Sequence, residues 1–321
     1  MKTKVLCAAG LVAALSLGAA AFAQSVKQLS IATGTTGGVY YPIGGGFANL
    51  IGKAIPGFGA SAEVTGGSVA NLQLIGAAKA DIAFVQVDAA FDAINGVDKF
   101  KTKLPVQALV VMYPNHMQLV TIEGTGITKL EDLKGRRIST GAPGSATEVF
   151  AFRLIEAAGL DKDKDMTRER LSPAESANAI KDKKLDAFFF VSGLPTSAVT
   201  DLAATPGTRL KILELAHFVP KLVAKYGRIY SASVIPKATY PGMDRDVPNT
   251  SVWNLMAVNA SMPEELAYQL TKLMLEKRED LGTVHKEALG IIAANQTADK
   301  AGIPFHPGAL RYFTEQGIKV E

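Results

Sequence analysis

A short apolar segment, Leu29-Ser30-Ile31-Ala32, runs into Gly34-Thr35-Thr36-Gly37-Gly38-Val39-Tyr40-Tyr41-Pro42, and a helical stretch from about Pro42 to Ala54 follows. A strand that opens through a glycine-rich turn into a helix start commits the chain to packing that helix on a sheet. It also leaves backbone N–H groups unpaired at the positive end of the helix dipole, which suits a carboxylate or a phosphate. Tyr40 and Tyr41 offer ring surface and hydroxyls to a small polar solute. The device recurs. Gly66-Gly67-Ser68 follows an expected strand at Ala62–Val64 and opens a helix at Val69–Ala78. Gly141-Ala142-Pro143-Gly144-Ser145 follows Arg137–Thr140 and opens a helix at Ala146–Ala158, with Ser145 and Glu148 at capping-box spacing. Ser192-Gly193-Leu194-Pro195, after Phe188-Phe189-Phe190-Val191, is a weaker fourth case. Any one such loop also serves an ordinary connection. In series they point to the place outside the carboxyl ends of sheet strands where such loops converge.

The remaining pattern agrees with an α/β class. Strand-like runs at Asp81–Val85, Val106–Met112 and Leu210–Leu215 alternate with helix-like runs such as Pro173–Lys183 and Pro195–Ala203. The unbroken apolar run at Phe188–Val191 reads as a strand buried on both faces. Pro263–Val284 is the longest helical candidate, with Leu266, Leu270, Leu273, Met274 and Leu281 on one side. Breaks near Gly124-Thr125-Gly126 and over Tyr240–Asn249 predict two lobes, residues 24–123 with 251–321 and residues 124–250. A cleft between them, lined by donors from both, couples solute capture to hinge closure.

The first 23 residues predict a secretory signal peptide: Lys2 and Lys4, an apolar stretch from Val5 to Leu17, then Ala21-Phe22-Ala23 with cleavage before Gln24. That apolar stretch is too short to span a bilayer as a helix. The single cysteine, Cys7, falls inside it, so disulfide and thiol chemistry are not expected of the mature chain. The full chain carries 34 basic and 30 acidic residues, and losing Lys2 and Lys4 leaves 32 against 30, a balance of +2. With no basic block, nucleic acid is not an expected partner. Hydrolase chemistry finds no support, since Ser68 and Ser145 miss the G-x-S-x-G elbow and His116, His217, His285 and His306 are scattered. Metal-ligand spacings and a P-loop are missing too, so neither an enzyme nor a cofactor is expected.

Ile31 to Pro42, Thr65-Gly66-Gly67-Ser68-Val69-Ala70-Asn71-Leu72 and Ala80-Asp81-Ile82-Ala83-Phe84-Val85-Gln86-Val87-Asp88 together resemble the TAXI family of extracytoplasmic solute-binding proteins, the receptor subunits of one branch of TRAP transporters. Asp132-Leu133-Lys134-Gly135-Arg136-Arg137 leading to Gly141–Ser145, and Leu185-Asp186-Ala187-Phe188-Phe189, continue the resemblance in family order. Beyond about residue 205 it rests on Ile235-Pro236 and Tyr240-Pro241-Gly242. The resemblance implies a two-lobed fold of the type II periplasmic-binding-protein kind, no catalysis, a periplasmic location and delivery of a solute to a membrane permease. It further implies a small carboxylate ligand such as glutamate, glutamine or 2-oxoglutarate. A monomer is expected.

On these loops, the residues expected to hold the ligand are Thr36, Gly38, Tyr40 and Tyr41, then Ser68 and Asn71, then Gln86 and Asp88. Ser145 and Thr147 are expected to close over it, with Phe190 against its carbon chain. Asp88 reads equally as a helix N-cap over Val87–Ile94, and Phe188–Phe190 reads first as core. None of the motif segments holds Arg or Lys, so helix-terminus N–H groups would grip a carboxylate unless Arg136, Arg153 or Arg228 swings in. A sensor module that docks on a signalling receptor would use the same binding chemistry.

Overall fold

The computed structural model describes residues 26–321, and the expected leader with Cys7 lies outside the described residues. The first elements are β1 (Lys27–Ala32), α1 (Tyr40–Ala54), β2 (Phe58–Glu63), α2 (Ser68–Gly76), β3 (Ile82–Gln86) and α3 (Val87–Asn95). β1 pairs in parallel with β2 and with β3, so the three strands alternate with helices as parallel strands joined by crossovers require. Isoleucine, valine and phenylalanine fill β3, which is buried along its whole length, as a strand covered on both faces should be. α1 stops at Ile55, whose extended dihedrals suit a residue before Pro56, and α3 stops at Gly96 in the left-handed conformation.

The long strand β4 (Val106–Ile122) comes next. Beyond it lie β5 (Arg137–Ser139), α4 (Ala146–Ala157), β6 (Thr167–Glu169), α5 (Pro173–Lys181), β7 (Ala187–Ser192) and α6 (Ser197–Ala203). β5 pairs in parallel with β6 and with β7, which repeats the β1–β2–β3 plan. The chain then runs through β8 (Leu210–Ile212), α7 (Val219–Tyr226), β9 (Tyr230–Ile235), β10 (Val247–Asn259), α8 (Glu264–Glu276) and α9 (Arg278–Gly282).

These ten strands, among the described residues, form one sheet in the order β2-β1-β3-β10-β4-β7-β5-β6, with β8 on β4 and β9 on β10. The two longest strands bind its halves together. β4 pairs with β10 up to His116 and with β7 from His116 to Thr121. β10 pairs with β9 over Val247–Val252 and with β3 over Asn254–Val258. Pro114 sits two residues before β4 changes partners, opposite Trp253, and the ladder shifts register just after Trp253. A proline without N–H is tolerated in a strand at such an irregularity.

Most expected elements correspond to observed ones with ends moved by a few residues; the expected Val106–Met112 strand instead continues ten residues further to Ile122, and three other features differ. β10 carries Pro248, Asn249 and Asn254, which read locally as a turn, yet pairing on its flanks makes it a central strand. β6 has only three residues, all polar, and no local strand signal. The Pro263–Val284 helix breaks at Lys277, and beyond the break Leu281 packs against Gly46 of α1. A large apolar core includes Ile31, Ile43, Phe47, Phe84 and Phe150, and a smaller one holds Val120, Phe188, Val199 and Tyr240. Each such fully buried side chain contributes about 1.5–3 kcal/mol.

Candidate functional site

Six strand-to-helix junctions, three from each half of the sheet, surround one cavity of about 50 Å³. Gly34, Thr35, Gly38, Val39 and Tyr40 come from the β1–α1 turn, Gly66, Gly67 and Ser68 from β2–α2, and Gln86 from the end of β3. Facing them are Ala142, Ser145, Ala146 and Thr147 from β5–α4, Pro173 at the start of α5, and Phe190, Val191 and Ser192 at the end of β7. Asn115 enters from β4, one residue before that strand changes partners. The wall holds no charged side chain among the described residues.

Local chemistry fixes each piece. Gly67 caps α2 with φ 118°, a conformation glycine adopts without strain. Ser68 Oγ accepts from Gln86 N at 3.0 Å, tying the start of α2 to the end of β3. Ser145 caps α4 by accepting from Glu148 N at 3.2 Å. The reciprocal half of the capping box is missing because the Glu148 carboxylate pairs instead with Arg170 at 2.8 Å, Lys99 at 3.3 Å and Arg168 at 3.3 Å. Thr147 Oγ1 accepts from Val191 N at 3.3 Å and so locks α4 to β7. The Tyr40 hydroxyl donates to Asn254 Oδ1 on β10, its ring meets Phe84 edge-on at 5.9 Å, and burial pushes its pKa far up. Tyr40 is therefore a neutral donor and acceptor at any physiological pH.

Gln86 and Asn115 are 4 % and 2 % exposed, and the Gln86 Oε1 and Asn115 Oδ1 atoms have no hydrogen-bond partner. A buried acceptor left unpaired costs about 1–3 kcal/mol, so these two amides are the strained polar groups of the wall.

The halves touch across the cavity. Ala70 N donates to Gly144 O at 3.0 Å, and Ser197 Oγ donates to Gly37 O at 3.2 Å. A Cβ placed on Gly66 would lie 2.1 Å from Pro143 O, and one on Gly38 would lie 3.2 Å from Phe190 Cζ. The structure is thus a closed arrangement. Small-molecule sites commonly enclose roughly 300–1,000 Å³, more than this cavity of about 50 Å³ offers.

Of the residues expected from sequence, Gly38, Tyr40, Ser68, Gln86, Ser145, Thr147 and Phe190 line this cavity. Thr36, Tyr41, Asn71 and Asp88 do not. Thr36 is exposed on the turn, and Tyr41 is 37 % exposed on the outward side of α1. Asn71 is fully buried, and its Nδ2 donates to the carbonyls of Thr33 at 2.6 Å, Phe84 at 2.8 Å and Ala32 at 3.2 Å. Those bonds join β1 to β3 beneath the loops, so its amide serves the sheet. Asp88 accepts from Tyr230 Oη at 2.9 Å, next to Arg153, in a buried ionic cluster behind the cavity. It is not the N-cap of α3 either; Gln86 holds that position. Arg153 does not swing in, because it pairs with Asp92 at 2.5 Å and Tyr230 at 2.8 Å. Asn115, Pro173, Thr35 and Ser192 were missed; Ser192 stood in a loop already noted, while Asn115 and Pro173 carry no local signal.

All four histidines are placed. His116 bonds Ser233, His285 bonds Pro195 O, His306 bonds Met262 O, and His217 stacks on Phe218.

The model of the NMT1-like family matches residues 31–317. The chain belongs to the NMT1-like family. Among solved structures, it is similar to a protein of Bordetella bronchiseptica RB50 at 15 % identity over 91 % of this chain and 89 % of that one, with a TM-score of 0.51. A putative L-cystine ABC transporter protein of Listeria monocytogenes matches at 17 % identity over 83 % and 96 %, with a TM-score of 0.50. A Streptococcus mutans protein, from glutathione import through GshT and the cystine importer TcyBC, matches at 14 % identity over 82 % and 95 %, with a TM-score of 0.50. These likenesses bear on the fold. This member of the NMT1-like family has the α/β architecture of type II periplasmic binding proteins.

Proposed function

We propose that this protein is an extracytoplasmic solute-binding receptor of a TRAP transporter of the TAXI kind. It captures a small carboxylate such as glutamate, glutamine or 2-oxoglutarate between the halves and hands it to the membrane permease. One observation carries the reading: the N-termini of α1, α2 and α4, drawn from both halves, converge on one cavity. The Tyr40, Ala146 and Thr147 amides belong to the unpaired first turns, and such a turn favours an anion by about 0.3–1 kcal/mol. Three turns together replace an arginine. The neutral wall also releases the solute more readily than a buried ion pair would, as handover demands. Binding rather than catalysis suits the serines, since Ser68 Oγ and Ser145 Oγ accept backbone N–H groups and the four histidines bond or pack against other residues.

The names of the structural neighbours, an L-cystine transporter protein and a component of glutathione import, support carriage of small amino-acid-like solutes. The lobes proposed are residues 24–123 with 251–321 and residues 124–250, joined through β4 and β10. A periplasmic site of action after removal of the leader goes with this role.

The test is thermal unfolding of ligand-stripped mature protein against glutamate, glutamine, 2-oxoglutarate, other small dicarboxylates and neutral amino acids. At about a thousandfold excess over Kd, mass action stabilises by roughly 4 kcal/mol, which raises Tm by several degrees. A shift confined to one chemical group supports solute capture; no shift with any carboxylate overturns the carboxylate reading.

A further inference from the structure

The short 3-10 turn at Lys286–Gly290 belongs by its packing to the first half, because it follows α9, whose Leu281 lies on Gly46 of α1. Yet it bonds to the loop after β7 in the second half. Leu194 N donates to Glu287 Oε1 at 2.8 Å. His285 Nδ1 accepts from Glu287 N at 3.2 Å, so the proton of the neutral ring sits on Nε2, which donates to Pro195 O at 3.1 Å. Just before them the chain has Gly193, where an added Cβ would lie 2.8 Å from Glu287 Cγ and 3.0 Å from Tyr113 Cε2. Three consecutive residues of one half, 193 to 195, are thus matched by shape, by an acceptor and by a donor from the other.

We propose that Glu287 and His285 form a latch that holds the two halves in the closed arrangement. Neither residue lines the cavity, so the latch acts on the closing movement and not on the solute directly. The inference rests on the two-half closure of the proposed function. It does not depend on which solute is carried.

Glu287 is a positioning residue by this account, and its effect has to appear at a distance. Ala70 N is a suitable reporter, because its partner Gly144 O lies across the cavity and its protection requires the halves to be together. The experiment is residue-resolved amide hydrogen exchange on the mature protein without added solute, for wild type, Glu287→Ala, Glu287→Gln and Gly193→Ala. In Glu287→Ala, exchange at Leu194 and at Ala70 is expected to rise at least tenfold, a loss of about 1.4 kcal/mol in the closing equilibrium. Glu287→Gln keeps an acceptor oxygen and is expected to restore protection at both amides. Gly193→Ala, which holds the turn off the loop while leaving both bonding side chains in place, is expected to expose Ala70 as well. Faster exchange at Leu194 alone would mean a local contact and would overturn the latch, as would equal exchange at Ala70 in wild type and Glu287→Ala. A solute screen that fails leaves this result standing, and the reverse also holds.

Discussion

Replacing Gly66 with Ala should prop the cleft open while leaving each half folded. Gly66 has no left-handed backbone requirement, so alanine meets no local strain. The obstacle lies across the cavity, where the new methyl would stand 2.1 Å from Pro143 O, whereas real Cβ contacts under 3.0 Å essentially never occur. The opposing loop must therefore retreat by about 0.9 Å, the difference between those distances. Such a retreat takes the neighbouring Ala70 N–Gly144 O bond from 3.0 Å past hydrogen-bonding range. Losing that bond, worth about 1 kcal/mol, together with the adjoining contacts lowers the closed-to-open ratio roughly tenfold. Trp253, the only tryptophan, sits opposite Pro114 where the two long strands pair and the ladder shifts register, so its fluorescence should report the movement. Titration with glutamate followed at Trp253, alongside small-angle scattering, checks the effect. The expected result is weaker binding, by about tenfold, and a larger radius of gyration, with Tm of the solute-free protein nearly unchanged. Gly45→Ala is the control, since nothing lies within 4 Å of its added methyl. Wild-type affinity and wild-type dimensions in Gly66→Ala would refute the reasoning that binding uses this closed arrangement.

Asn71→Ala should unfold rather than merely weaken binding, because three buried carbonyls lose their donor; a drop of several kcal/mol in urea denaturation is expected. Arg153→Met should cost about 3–5 kcal/mol at neutral pH by leaving Asp88 and Asp92 buried without their partner, again read by denaturation. Burial raises the Asp92 pKa to about 6, so the folded state binds the extra proton between about pH 4 and 6 and stability falls as pH rises through that window. Asp92→Asn should remove up to one proton's worth of that slope, seen in urea midpoints taken across the window. Ser145→Ala should lose about 1 kcal/mol of stability as a helix cap and weaken glutamate binding too; loss of the first alone would take Ser145 out of the site.

The site was legible in the sequence where chemistry is local. Glycine before a helix start and a serine cap are read within a few residues, and Gly38, Ser68, Ser145 and Thr147 were found that way. Phe190 read first as a core residue by its run of neighbours, and it proved to be both, 9 % exposed and still in the cavity wall. Asn71 and Asp88 looked alike from the sequence, as polar groups just past the turns. One helix turn's rotation put them under the loops, where an amide joins strands and a carboxylate joins a buried arginine. Asn115 could not be found, because what brings it to the cavity is the change of partner along β4.

The sequence alone determined the α/β alternation and the neutral, donor-rich character of the loops, because side-chain period, glycine and capping residues act over a few positions. Tertiary structure decided the rest: that β4 and β10 weave both halves into one sheet, and that loops more than a hundred residues apart enclose one cavity. It also decided that a turn near the C-terminus reaches back to residues 193–195. Those outcomes depend on pairing and burial between distant segments, which no window of the chain contains.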